Sequence, residues 1–404
     1  MWKKYSPFLF GQFGYGVFAN MLPIMAVLLF GLSAFHIGIL NMLVSVFSML
    51  GFLIWGRKID HTTRRRIFGV IGFAGTAIAV LITIFSTDFT ALSIASVLIG
   101  FFFSIFGVLG STLVAQDKSG TYFQRLRIYN ALVSGGTVLG LAGGVLCLYM
   151  CQENANLRIV FLLPFTAMLL GLQLCLMFIP ENAVHMPKLS KIELIRINTG
   201  VIERVHYLPS KIRHGLSGAS IDRRIYGMCL GFGFMLFAFS AFYTTLPYYL
   251  LTYGVLPYQI FLVHLSSACA CTVAYMLSRK VRAENAVKSA VEMRSILIMI
   301  FILVPLAGIP SLVFGMAMVL NALMGVAWAG ISVGSVRMVV KFADEYRMGS
   351  AMSIYHISLA TGSAMGAVMG GYLYALAGCI AYIPLALSAL CGLGIAVMWY
   401  EREQ

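Results

Sequence analysis

Apolar runs of about twenty residues recur from one end of the chain to the other, separated by short polar breaks. A run of that length spans a bilayer as one α-helix. The breaks predict twelve spans, at roughly 7–32, 36–55, 67–86, 89–115, 128–150, 159–180, 226–251, 258–278, 293–308, 311–338, 351–376 and 380–399. Most breaks are only a few residues long, so neighbouring spans should run antiparallel. The runs are continuous rather than alternating, which excludes a membrane β-barrel. Backbone in lipid must bond to itself, and helices do so within one segment. The expected fold class is therefore an all-α membrane protein with twelve transmembrane helices.

Composition agrees with the pattern. The chain is 60% hydrophobic and 10% charged, where a soluble domain carries about 25% charged residues. The net charge of +14 would suggest nucleic acid in a soluble protein. Here the cations sit in the breaks, so no nucleic-acid partner is expected. With the N-terminus inside, every Lys and Arg except Arg158 is expected in a segment on the inner side, with five of them at 279–294. This is the positive-inside bias. It predicts a multi-pass protein of the cell (inner or cytoplasmic) membrane with both termini cytoplasmic. Met1-Trp2-Lys3-Lys4 leads into an apolar run too long for a cleavable signal and without a small-residue cleavage site.

The only long break, 181–224, carries eight basic and four acidic residues and divides the spans six and six. The expected domains are a bundle at 1–180, a basic cytoplasmic linker at 181–224 and a second bundle at 225–404. Within the linker, 189–196 has the pattern of an amphipathic helix on the inner leaflet or, equally, of a solvated connection. The eight cysteines lie mostly within apolar runs and lack metal-type spacing. A disulfide between Cys151 and Cys379 is the less favoured reading, given the geometry it demands.

The halves repeat each other. Met21-Leu22-Pro23 answers Thr245-Leu246-Pro247, and Arg57-Lys58 answers Arg279-Lys280. Ile128-Tyr129, Gly136, Gly140 and Gly144 answer Ile354-Tyr355, Gly362, Gly366 and Gly370. The order and the nearly constant offset point to a duplicated six-helix unit, and two parallel repeats about a membrane-normal axis form a transporter architecture.

Between spans 2 and 3 stands Gly56-Arg57-Lys58-Ile59-Asp60-His61-Thr62-Thr63-Arg64-Arg65-Arg66. Gly56, Asp60, Arg64 and Arg65 match the signature of the major facilitator superfamily at this loop, and the whole chain resembles that family. Thr63 replaces the signature's second glycine. The second-half copy, Ser278-Arg279-Lys280-Val281-Arg282, has lost the aspartate. The resemblance implies two pseudo-symmetric six-helix bundles that rock around a central site, lined by spans 1, 4, 7 and 10. It also implies a cytoplasmic latch built from Gly56, Asp60, Arg64 and Arg65, with Arg125, Arg127 and the start of span 11 near Gly349 as neighbours. A charge cluster that only sets topology is the alternative, but topology alone needs no aspartate. The drug/proton antiporters of the family carry an arginine in span 4 and a Gly-Pro pair in span 5. Here Ser96 and Leu141 stand at those places, which counts against that subfamily.

None of the fourteen acids is expected at the middle of a span. Cation carriers and many proton-coupled carriers embed a carboxylate, so organic cations are disfavoured as cargo. His264 and His356 are the histidines within spans; each is a candidate to relay a proton, bind an anion or join two helices by a hydrogen bond. Asn20 precedes Pro23 and Tyr243 precedes Pro247, near places where proline loosens a helix. Asn321 and Trp328 flank the middle of span 10. With His264 and His356 these form the expected substrate pathway. The two glycine rows are expected to be packing surfaces. Met365, Met369, His264 and Cys271 raise soft-metal transport of the copper type as a minor alternative to ordinary apolar filling.

The expected function is secondary active or facilitative transport of a small neutral or anionic organic solute by alternating access, with no enzyme activity, no cofactor and no resident metal. Proton-coupled efflux of drug-like compounds, soft-metal transport and a non-transporting membrane sensor are the alternatives. Expected partners are a small-molecule substrate and the lipid bilayer, with a coupling proton or ion left open, and the chain is expected to act as a monomer.

Overall fold

The computed structural model describes residues 2–61, 64–116, 122–150, 157–179, 181, 222–277, 283–343 and 348–401. Twelve long α-helices lie within them: α1 (Ser6–Phe30), α2 (Ala34–His61), α3 (Arg65–Ile84), α4 (Phe89–Gln116), α5 (Tyr122–Met150), α6 (Leu162–Phe178), α7 (Arg223–Thr252), α8 (Pro257–Leu277), α9 (Ala283–Ile300), α10 (Pro310–Phe342), α11 (Met348–Ala377) and α12 (Tyr382–Glu401). No strand occurs among the described residues. The linker segment 189–196, the second signature copy at 278–282 and Cys151 lie outside the described residues, and Cys379 is a free thiol.

Local chemistry sets the helix ends. Gly31, at φ 62°, stops α1, and the N–H groups of Gly31 and Leu32 bond back to Val27 and Ala26. A left-handed residue there satisfies the last carbonyls, and glycine adopts it without a Cβ penalty. Asp222 caps α7 by accepting from the Arg224 N–H at 2.8 Å.

One span differs from the sequence expectation. α9 begins at Ala283 rather than near 293, and Glu284, Lys288, Glu292 and Arg294 all lie on it. It is the one long helix among the described residues outside the segments apolar enough to be recognised as spans by composition. The loop assignment of Arg294 is thereby corrected. Arg294 is buried, while Glu292 is exposed, one turn from exposed Lys288.

Packing follows the duplication. In the first half α1 lies on α5 and α6, α2 on α4, and α3 on α4 and α6. In the second half α7 lies on α11 and α12, α8 on α10, and α9 on α10 and α12. Each contact maps onto its partner when six is added to the helix number. The halves meet along two seams related in the same way, α2 against α11 and α5 against α8. The glycine rows are among the close helix–helix approaches within each half. A Cβ on Gly136 or Gly140 would overlap the α1 carbonyls of Leu9 and Phe13, and one on Gly362 or Gly366 the α7 carbonyls of Gly233 and Phe237.

Candidate functional site

The second half holds a buried cluster built by four helices. Arg294 of α9 is 4% exposed. Its guanidinium carbon lies 4.3 Å from the ring centre of Phe239 and 5.1 Å from that of Tyr243, both on α7, and 5.1 Å from the Trp328 ring on α10. The Tyr243 hydroxyl donates to Oδ1 of Asn321 at 2.9 Å, and the Asn321 amide donates to the carbonyl of Val263 on α8 at 2.8 Å. His264, next along α8, has its ring 6.1 Å from that of Tyr243. A chain of oriented donors thus runs from α7 through α10 to α8, with Arg294 of α9 lying against the Tyr243 ring at its start.

The chain leaves capacity unused. Nε and Nη1 of Arg294 and Nε2 of His264 are buried without a hydrogen-bond partner. No carboxylate among the described residues pairs with Arg294. An arginine cannot shed its proton to escape burial, and an uncompensated buried ion costs several kcal/mol. Three cation–π contacts at about 0.5–2 kcal/mol each offset part of that cost. They leave the in-plane N–H groups, which are the anion-binding edge of a guanidinium, unfilled.

Of the sequence candidates, Tyr243, His264, Asn321 and Trp328 come together in this cluster. Asn20 does not join it by any hydrogen bond; its amide donates to the Gly16 carbonyl of its own helix at 2.8 Å. His356 is exposed and stacks on Phe52 across the α2–α11 seam, with ring centres 5.9 Å apart. Arg294 and Phe239 were missed. The signal was present: Arg294 already falls inside the expected span 293–308, which is shorter than the roughly 20 residues a span needs and so requires extension backwards, past Arg294 into the helix.

The latch candidates occupy one end of the first half. Gly56 meets nothing within 4 Å of where its Cβ would be. Arg64 is exposed and Arg65 is buried. Buried Arg125 donates from Nε to the Val114 carbonyl at 2.9 Å, tying α5 to α4. Asp60 and Arg127 lie on α2 and α5, and their side chains are outside the described part.

A family model described as Major Facilitator Superfamily matches residues 8–313. The sequence matches no curated protein. Among solved structures, a chain from a study of substrate recognition in proton dependent oligopeptide transporters is similar over 100% of this chain and 99% of its own, with TM-score 0.73 and 13% identity. The human organic anion transporter MFSD10 (TETRAN) is similar over 98% of both chains, with TM-score 0.65 and 17% identity. The peptide transporter POT in complex with alafosfalin is similar over 98% of this chain and 93% of its own, with TM-score 0.71 and 14% identity. At these identities the likeness speaks for the fold alone.

Proposed function

The chain belongs to the major facilitator superfamily, and from that premise we propose that it carries a small organic anion across a membrane by alternating access. It is a transporter and not an enzyme. One observation supports the anion: Arg294 is buried with two unpartnered nitrogens and, among the described residues, no paired carboxylate. A neutral cargo would leave that charge uncompensated, and a cationic one would be repelled. A carboxylate, sulfonate or phosphonate would fill both free positions as a planar or bidentate partner. The rings of Phe239, Tyr243 and Trp328 would sequester it from water, where charge pairing is stronger.

The two moving bodies in this proposal are 1–180 and 225–404, joined by the basic linker 181–224. The charge distribution supports, as part of this proposal, a cytoplasmic-type membrane with both termini inside. Gly56, Asp60, Arg64, Arg65, Arg125 and Arg127 keep their proposed role as the inner latch, separate from the anion site.

Flux in proteoliposomes tests the cargo class. Arg294→Gln should abolish uptake of anions, because removing one side of a desolvated charge pair costs about 2–5 kcal/mol of binding. Arg294→Lys keeps the charge but loses the fork, and should retain weak uptake. Undiminished anion uptake in Arg294→Gln would overturn the proposal.

A further inference from the structure

We propose that α6 is the contact helix of a parallel homodimer, in which Gln173 hydrogen-bonds to Gln173 of a second copy of this chain. The proposal departs from the single copy that the sequence led us to expect, and it is independent of the anion site.

Depth comes first. Gln173 lies on α6, within the apolar span Leu157–Phe178. At 1.5 Å per residue it stands about 8 Å from the middle of that span. Helical side chains lean toward the helix N-terminus. This one therefore points back toward Leu162 and the bilayer middle, not toward the nearer end of the helix. Gln173 is exposed and makes no hydrogen bond among the described residues. Its amide thus faces hydrocarbon, which offers neither donor nor acceptor. Thr166, seven residues earlier on the same face, is satisfied within its own helix, donating to the Leu163 carbonyl at 3.0 Å. A polar side chain left unmet on a membrane helix is the kind that joins one helix to another.

Spacing then identifies the partner. One face of α6 packs on α1 and α3. The opposite face exposes Leu162, Thr166, Leu169, Gln173 and Leu176, flanked by Leu170 and Met177. The first five follow each other by four, three, four and three residues. That is the a/d repeat of a coiled coil, with leucine at each d and with Thr166 and Gln173 at a. A polar residue at a specifies register and the number of strands, and in a parallel pair each a position meets its own copy. Two copies related by a two-fold axis along the membrane normal present parallel α6 helices and one isologous contact. Gln173 is self-complementary there, because each amide N–H donates to the carbonyl of the other. Lipid tails would cover the leucines equally well but cannot meet the amide. A second copy brings a matching amide to the same depth by symmetry alone. The fold does not itself demand the glutamine: α12, which takes the place of α6 in the second half, exposes Ile383, Leu387, Cys391 and Met398 along its length and no amide. Beyond the end of α6, exposed Glu181 is held by Arg66 at 3.8 Å, so two copies meet there without a bare like charge.

The test is association in a bilayer. The full chain, with one fluorophore at its C-terminus, is reconstituted into liposomes over a range of protein-to-lipid ratios, and photobleaching steps give the dimer fraction. Wild type should pass from one step to two as density rises. Gln173→Leu keeps the face apolar and should need about 5–30-fold higher density, the equivalent of the interhelical hydrogen bonding lost. Its melting temperature in excess detergent should stay that of wild type, since no contact within the chain is removed. In a background freed of the native cysteines, Thr166→Cys should cross-link to itself on mild oxidation in liposomes, and Leu387→Cys on α12 should not. A wild type that stays single at every density overturns the proposal. So do equal midpoints for wild type and Gln173→Leu. Cross-linking of Leu387→Cys as readily as Thr166→Cys also overturns it, because random collision or another contact face then accounts for the pairing.

Discussion

At the scale of the residue, the decisive feature is the hydrogen-bond chain from Tyr243 through Asn321 to Val263. The Tyr243 hydroxyl donates to fully buried Asn321. Tyr243→Phe keeps the ring and removes that link. It should destabilise the folded protein by about 1–3 kcal/mol, the cost of leaving a buried acceptor unmet, and lower the melting temperature in detergent. A wild-type melting temperature would mean that Asn321 has a second donor. Asp222, outside the spans, offers a pH test. Burial, the largest influence, pushes its carboxyl up, but the hydrogen bonds and charge of Arg224 together outweigh it and hold the carboxyl below its usual range. The unfolded chain thus binds a proton more readily than the folded one. The stabilisation is complete above the unfolded value of about 3.9 and disappears as pH falls through the lower folded value. Asp222→Ala should cost about 0.5–2 kcal/mol near neutral pH, as for a lost helix cap. That difference should vanish in thermal melts taken well into acid.

At the scale of the element, glycine decides how closely helices pair. Gly362 and Gly366 let α11 rest on the α7 backbone, where a Cβ would overlap the carbonyls of Gly233 and Phe237. Alanine at either position should cost about 1–3 kcal/mol, the usual penalty of overpacking. Gly315 on α10 faces open space, so Gly315→Ala should be neutral or stabilise by about 0.5–1 kcal/mol, the ordinary helix gain over glycine. Equal melting temperatures for the three variants would remove the packing argument. These rows were legible in the sequence, because duplication writes the same spacing twice. The extent of α9 was not, because a charged residue ordinarily marks where a membrane span ends, and Arg294 is instead buried against rings. Site membership was legible only in part. Tyr243, Asn321, Trp328 and His264 stand out as polar or amphipathic groups in apolar runs, but so do Asn20 and His356. In a membrane the buried face and the lipid face are both apolar, so periodicity does not say which side of a helix meets which neighbour.

At the scale of the whole molecule, the question is whether two rigid halves move, and Ser363 on α11 offers a way to ask it. Its hydroxyl lies 3.3 Å from that of Ser45 on α2, across the seam between halves. It also lies 3.1 Å from the hydroxyl of Ser240 on α7, within its own half. Side-chain atoms this close can be replaced by sulfurs at bonding distance with little movement of the backbone. In a background freed of the eight native cysteines, two disulfides can therefore be made from the same position. Rocking of rigid bodies predicts opposite results. Ser45→Cys with Ser363→Cys should stop flux when oxidised and restore it when reduced, because the bond holds the seam shut. Ser240→Cys with Ser363→Cys should leave flux unchanged in both states, because the bond joins parts that already travel together. The near coincidence of the two bonds excludes a local disturbance around Ser363 as the reason for any difference. Should both disulfides stop flux, the second half must flex internally during transport. Such flexing would place the relevant motion between α7 and α11, along the glycine row itself.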